Sequence, residues 1–274
     1  MIMFAPFIML CFTSNITQNT SCLLHRKSNN YVFYLQEYMC SEFEPSTEVD
    51  CDGFLKYSNL PDSIDWREHG VVTHIKNQGH CGSCWTFSAT GAMEGAWAKT
   101  TKNLISLSEQ QLVDCVKKDH GCNGGEMNDA FIYAIENPIC TENQDPYKAE
   151  DSKCIDCNSY IQFSNCMNIP FSNELALKEA VATHGPISVS IQADQPIFRN
   201  YKGGIITDKS CGINLDHGVL LVGYGQENNL KYWLVKNSWG TSWGENGYVR
   251  ILRSDNDNSN GICGIAMQAS FPIV

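Results

Sequence analysis

The chain has 274 residues, 43% hydrophobic and 18% charged, which is enough to bury a core and too apolar for a disordered chain. Its 19 Lys and Arg against 30 Asp and Glu leave a net charge of −11, which argues against duplex nucleic acid or an anionic membrane surface as the main partner. No apolar run reaches the roughly 18 residues that a membrane-spanning helix needs.

Residues 1–12 are apolar and have the length of a secretory signal-peptide core, but no Lys or Arg precedes the apolar run and no small-x-small cleavage site follows. Asn15-Ile16-Thr17 and Asn19-Thr20-Ser21 fit the N-glycosylation pattern. Residues 13–59 are rich in Ser, Asn, Cys and Tyr without a strong period, and read as a pro-segment or poorly structured leader. From Leu60 the texture changes. In 84–99, Trp85, Ala89, Ala92, Met93, Ala96 and Trp97 fall at helical spacings, and Phe87 adds a second apolar face. That predicts a buried central helix with Ser83 as its N-cap. Ser108-Glu109-Gln110-Gln111 reads as a capping box opening a second helix. Met127, Ala130, Phe131, Ala134 and Ile135 predict a third, ended by Asn137-Pro138, and 172–183 a fourth, stopped by Gly185-Pro186. Beyond Pro186 the period becomes two: 187–191 alternates, and 217–224, 231–236 and 247–252 are strand-like runs between glycines. Helices first and strands second argue an α+β fold, in two lobes. Residues 254–261 read as a solvated turn, and their spacing fails the calcium-loop pattern.

Fourteen cysteines suit an oxidising compartment. Cys11, Cys22, Cys40 and Cys51 precede Leu60, and ten follow it. If one of the ten is a working thiol, an odd number remains.

One segment carries chemistry: Gln78-Gly79-His80-Cys81-Gly82-Ser83-Cys84-Trp85. A thiol at the start of a buried helix meets the positive helix end, which favours thiolate. Downstream, at about the 130–150-residue spacing, lie His217 in Leu215-Asp216-His217-Gly218 and Asn237 in Lys236-Asn237-Ser238-Trp239-Gly240. With these motifs the chain from Leu60 to Val274 resembles the papain and cathepsin L family of cysteine proteases. A zinc site from Cys81, Cys84, Cys154 and Cys157 is conceivable by spacing. A thioredoxin-like redox site lacks its βαβ setting. Both are weaker readings than a nucleophile. His80 is expected as an exposed loop residue. Asp216 is expected as an electrostatic bystander, since neighbouring strand residues point to opposite faces. His25, His69, His74, His120 and His184 are read as surface residues.

The resemblance implies a two-lobed papain-like fold, a mainly helical lobe at about 69–170 and an antiparallel β-barrel-like lobe at about 171–268, with the active-site cleft between them. It implies a leader over 1–59 and a peptidase domain over 60–274, with maturation near Leu60-Pro61. The leader is shorter than the family's usual pro-regions and lacks their interspersed helical motif. Cys84 becomes the nucleophile, His217 the proton carrier, Asn237 its orienting partner, and Gln78 with the Cys84 N–H the oxyanion hole. Trp239 would shield the His217–Asn237 bond. Gly82, Ser83, Gly124 and Gly125 would border the substrate backbone, the two last letting it approach closely. Met127, Ser190, Leu215, Gly218 and Gln268 would form a pocket for bulky apolar side chains. Disulfides Cys81–Cys122, Cys115–Cys154 and Cys211–Cys263 are implied. Cys140, Cys157 and Cys166 are left as one pair and one free thiol, with Cys157 an alternative partner for Cys115. The implied activity is endopeptidase, since no insertion resembles the occluding loop of cathepsin B. No cofactor and no metal is implied. Protein and peptide substrates and cystatin-like inhibitors are the expected partners, the expected state is a monomer by analogy, and the expected location is secreted or a lysosome-like acidic compartment. The alternative is a latent or non-catalytic peptide-binding homologue.

Overall fold

The computed structural model describes residues 40–43, 47–49, 55–57 and 60–274. The apolar segment 1–12, both glycosylation motifs, His25, Cys11, Cys22 and Cys51 lie outside them.

Helix α1 spans Cys84–Thr101, and every residue from Trp85 to Gly95 is buried, as an all-round apolar or small surface requires. Ser83 occupies the N-cap position but does not cap with its side chain. Its φ/ψ of −94/18 is not the extended N-cap conformation, and its hydroxyl instead shares a 2.5 Å hydrogen bond with the Tyr147 phenol. Helix α2, Glu109–Cys115, is capped by Ser108, whose Oγ accepts from the Gln111 N–H at 2.9 Å. The reciprocal half of the expected box is missing, because the Gln111 Oε1 accepts from the Cys140 N–H at 2.7 Å. Helix α3 runs Met127–Glu136. Helix α4 runs Glu174–His184, two residues later than the sequence suggested at its start: Ser172 has φ +58, and Asn173 caps through the Ala176 N–H. A single turn, α5, spans Pro196–Arg199.

The strands are β1 (Ser41–Glu42), β2 (Thr47–Val49), β3 (Leu55–Tyr57), β4 (Ile64–Asp65), β5 (Asn165–Asn168), β6 (Ile187–Ile191), β7 (Ile205–Ile206), β8 (His217–Glu227), β9 (Leu230–Lys236), β10 (Tyr248–Leu252) and β11 (Ala269–Ile273). Strands β2 and β3 form an antiparallel pair apart from the main sheet. The main sheet has the order β1-β5-β11-β6-β8-β9-β10-β7, with β4 added against β8. It is antiparallel from β5 to β10 and parallel at its two outer pairs. Strand structure thus reaches beyond 171–268 on both sides, through β5 and β11.

Strand β8 organises the interior. Its period of two sends Leu220 and Val222 into a core with α1, α2 and α3, and Val219 and Leu221 into a second core with α4 and β6. All five residues of β6 are buried despite their alternation; of the two polar ones, Ser188 meets α1, its Oγ donating to the Ser88 carbonyl at 2.8 Å. Segment 254–261 is more than a solvated turn. It wraps the buried Glu174 carboxylate, which accepts from the Ser254 N–H and Oγ, the Ser259 Oγ and the Trp233 indole.

The structure pairs Cys81 with Cys122, Cys115 with Cys154, and Cys211 with Cys263. Cys140 pairs with Cys157. The expected free thiol among Cys140, Cys157 and Cys166 is absent: Cys166 is bonded to Cys40, a cysteine that the count had assigned to the leader.

Candidate active site

Three elements deliver the reactive groups. Cys84 is the first residue of α1, His217 the first of β8, and Asn237 directly follows β9. Cys84 is the one free cysteine among the described residues. The His217 Nε2 lies 2.8 Å from the Asn237 Oδ1. That same oxygen accepts from the Ser238 N–H at 2.8 Å, which fixes the amide with its oxygen toward the imidazole. Nε2 therefore carries a proton, and Nδ1 is the ring nitrogen left for Cys84.

The electrostatics favour an ion pair. Burial opposes ionisation of the Cys84 thiol, but hydrogen bonding to His217, the His217 charge and bonds to the backbone at Gly218 and Trp85 outweigh it and lower its pKa. Burial likewise opposes charge on His217, yet the Cys84 hydrogen bond and charge, then Asn237 and Asp216, raise its pKa. The Trp239 ring covers the imidazole at 4.9 Å between centroids and is itself backed by Phe198 and Trp243. The Gln78 Oε1 accepts from the Ser238 Oγ at 2.7 Å, and its Nε2 donates to the Cys81 carbonyl at 2.9 Å. One amide hydrogen is left over.

A cleft of about 420 Å³ brings Gln78, Cys84, His217 and Trp239 together. Gly82, Gly124 and Gly125 line it as well, and so do Met127, Ser190, Leu215, Gly218 and Gln268. The register that sets Ser190 opposite Gly218 and Ile191 opposite His217 brings β6 to this cleft. Ser83 and Asn237 are not on its wall: both are buried, Asn237 next to the imidazole. The two glycines at 124 and 125 serve different ends. Gly124 has φ +115 and open space where a Cβ would stand. A Cβ at Gly125 would come within 2.6 Å of the Trp85 ring. His80 is exposed, as are His69, His74, His120 and His184. Asp216 does more than stand by, since its carboxylate accepts from the N–H groups of Ala193 and Asp194.

Two features escaped the sequence reading. Glu126 lines the cleft and accepts from the Gln268 Nε2 at 2.5 Å, which sets a carboxylate beside the apolar pocket. Its position between Gly125 and Met127 was the available signal. The second is a buried charge cluster behind the cleft. The Lys76 ammonium bridges Glu94 at 2.9 Å and Glu109 at 2.6 Å. The Lys236 ammonium donates to the Thr73 carbonyl and hydroxyl, and Thr73 donates to Glu94. Burial raises the Glu109 pKa and lowers that of Lys236 to about 8. The cysteines at 81, 154 and 157, once weighed as zinc ligands with Cys84, are each held in a disulfide.

The family model for papain family cysteine proteases matches residues 60–273. This chain belongs to the papain family of cysteine proteases. It is a cysteine-type endopeptidase, with the mixed α+β architecture of that family. The papain-family protease is 50% identical over 247 residues to a cathepsin L-like protein of Caenorhabditis elegans, a match covering 85% of this chain and 70% of that one. It is 48% identical over 240 residues to the senescence-specific cysteine protease SAG39 of Oryza sativa subsp. indica, covering 84% and 70%. Among solved structures it is similar to the Amb a 11 cysteine protease, a ragweed pollen allergen, in its proform: TM-score 0.76 and 42% identity, over 79% of this chain and 67% of that one. No helix among the described residues of this protease is long and apolar enough to cross a membrane.

Proposed function

We propose that this protease cleaves peptide bonds through a Cys84 thiolate and a His217 imidazolium. The thiolate attacks the scissile carbonyl carbon, and the C–N bond breaks as His217 gives its proton to the leaving amine. A water then attacks the thioester, His217 takes one of its protons, the thiolate leaves, and the acid formed gives the other proton to solvent to end as a free carboxylate. The remaining Gln78 amide hydrogen and the Cys84 N–H hold the oxyanion, and Asn237 holds the ring. Met127, Leu215 and Ser190 suit a bulky apolar side chain in the pocket, with Gln268 at its floor. Residues 1–59 act as a leader, cut near Leu60 with segment 40–43 still bonded to Cys166, and the enzyme works as a monomer, secreted or in an acidic compartment, on protein and peptide substrates.

The observation that carries this reading is geometric: the free Cys84 thiol at the start of α1 shares one cleft with His217, whose far ring nitrogen lies 2.8 Å from Asn237, and the opposite pKa shifts of Cys84 and His217 agree with it. Brief iodoacetamide treatment near pH 5.5 tests it, because ordinary thiols titrate near about 8.5 and stay almost silent there. Selective alkylation of Cys84, with loss of fluorogenic dipeptide hydrolysis in proportion, is expected. A Cys84→Ala enzyme that still turns over peptide would overturn it.

A further inference from the structure

Segment 40–43 is built into the peptidase domain. The Cys40–Cys166 disulfide joins residues 126 apart in sequence. Strand β1 lies parallel to β5, Ser41 opposite Met167 and Glu42 opposite Asn168, so it covers an otherwise unpaired edge. The Phe43 N–H extends this pairing to the Asn168 carbonyl at 2.7 Å. Phe43 is 6% exposed, edge-on to Phe271 at 5.9 Å and to His184 at 5.6 Å. Cys40 belongs to the core around α1 and α3, whereas Phe43 belongs to the core around α4 and β11. Four consecutive residues thus close over both cores. The Asn168 amide also links the Cys40 carbonyl to Asn128, the neighbour of the pocket residue Met127.

We infer that segment 40–43 is a permanent edge strand of the enzyme and not a removable part of its leader. Hydrolysis of the chain between Phe43 and Leu60 then yields a two-chain protease, its N-terminal chain retained through Cys40–Cys166. The cut consumes one water, ends one chain in a carboxylate and begins the other with an amine, and it leaves the disulfide untouched. Once the bond is reduced, what holds segment 40–43 among the described residues is non-covalent: two ladder pairs, the Phe43 N–H bond, side-chain bonds from Asn165 and Asn168, and the buried Phe43 ring.

The inference goes beyond the proposed activity and is tested without it. A Cys84→Ala chain carrying a site-specific protease sequence just before Leu60 is cut and its mass measured under denaturing conditions. Without reductant, one species is expected, heavier than the uncut chain by one water. With reductant, two are expected. Separation of the chains without reductant would overturn the inference. The same cut in Cys40→Ser should release the N-terminal chain without reductant, and retention there would also overturn it. Cys40→Ser also changes a buried core residue, so the disulfide map of the unmutated, uncut chain decides independently. A peptide containing Cys40 joined to one containing Cys166 is expected, and Cys166 found free or joined elsewhere refutes the inference.

Discussion

The Gln268 side chain donates a 2.5 Å hydrogen bond to Glu126 across the apolar pocket of the cleft. The neutral amide of Gln268 on the cleft wall is therefore tied to a carboxylate. Leu- and Phe-sized groups should still be preferred, but a basic side chain gains a partner at the rim. Because Glu126 is exposed, that gain is small. Glu126→Leu should lower the ratio of kcat/KM for Arg over Leu dipeptides by about two- to fivefold. A panel of fluorogenic dipeptides reads this directly, and an unchanged ratio removes Glu126 from the pocket.

A Gln78 substitution tests oxyanion stabilisation apart from thiol activation. Its amide is held by Ser238 and Cys81 and does not touch the imidazole–Asn237 bond. Gln78→Ala should cut kcat by about 10²-fold or more, the usual cost of one oxyanion donor. The alkylation rate of Cys84 by iodoacetamide, which builds no oxyanion, should hardly move. Equal losses in both would place Gln78 in thiol activation instead.

Asn237 helps hold the proton on His217, since its hydrogen bond raises the imidazole pKa. The ion pair exists above the lowered Cys84 pKa and below the raised His217 pKa, so the pH profile should be a bell. Asn237→Ala should pull the alkaline limb to lower pH and leave the acid limb nearly in place. Loss of ring alignment should also cost about 10²-fold in kcat. A profile that merely drops without narrowing would mean that Asn237 acts only on alignment.

Burial raises the Glu109 pKa, so the native state binds a proton there more tightly than the unfolded chain does. Stability from that group is present below the ordinary carboxyl pKa and is lost as pH rises through the raised one. The wild-type chain should therefore lose stability relative to Glu109→Gln between about pH 5 and 7, a window below the titration of Lys236. Denaturant midpoints of the two proteins across that window measure it. Parallel curves would show that Lys76 neutralises Glu109 at every pH.

The residues that the candidate site brings together were legible because their local context is distinctive. Cys84 opens an all-round buried helix, and His217 and Asn237 sit beside runs whose period of two marks strands. What escaped depends on contacts between distant segments. A two-residue strand such as β1 has no period, and the partner of Cys166 was hidden because cysteines before Leu60 were counted apart from those after it. Glu109 read as part of a helix cap, and its place beside Lys76 depends on a segment distant in sequence. Residues 254–261 read as solvated because each is polar, yet their polarity serves the Glu174 carboxylate.

Strand β8 has a mechanical consequence. It begins with His217, its Leu220 and Val222 grip the helix that begins with Cys84, and its Val219 and Leu221 grip the other core. The strand works as a common axle for both halves of the molecule. Because one strand packs on both cores, the imidazole at its start is tied to the helix that carries the thiol as well as to the opposite core.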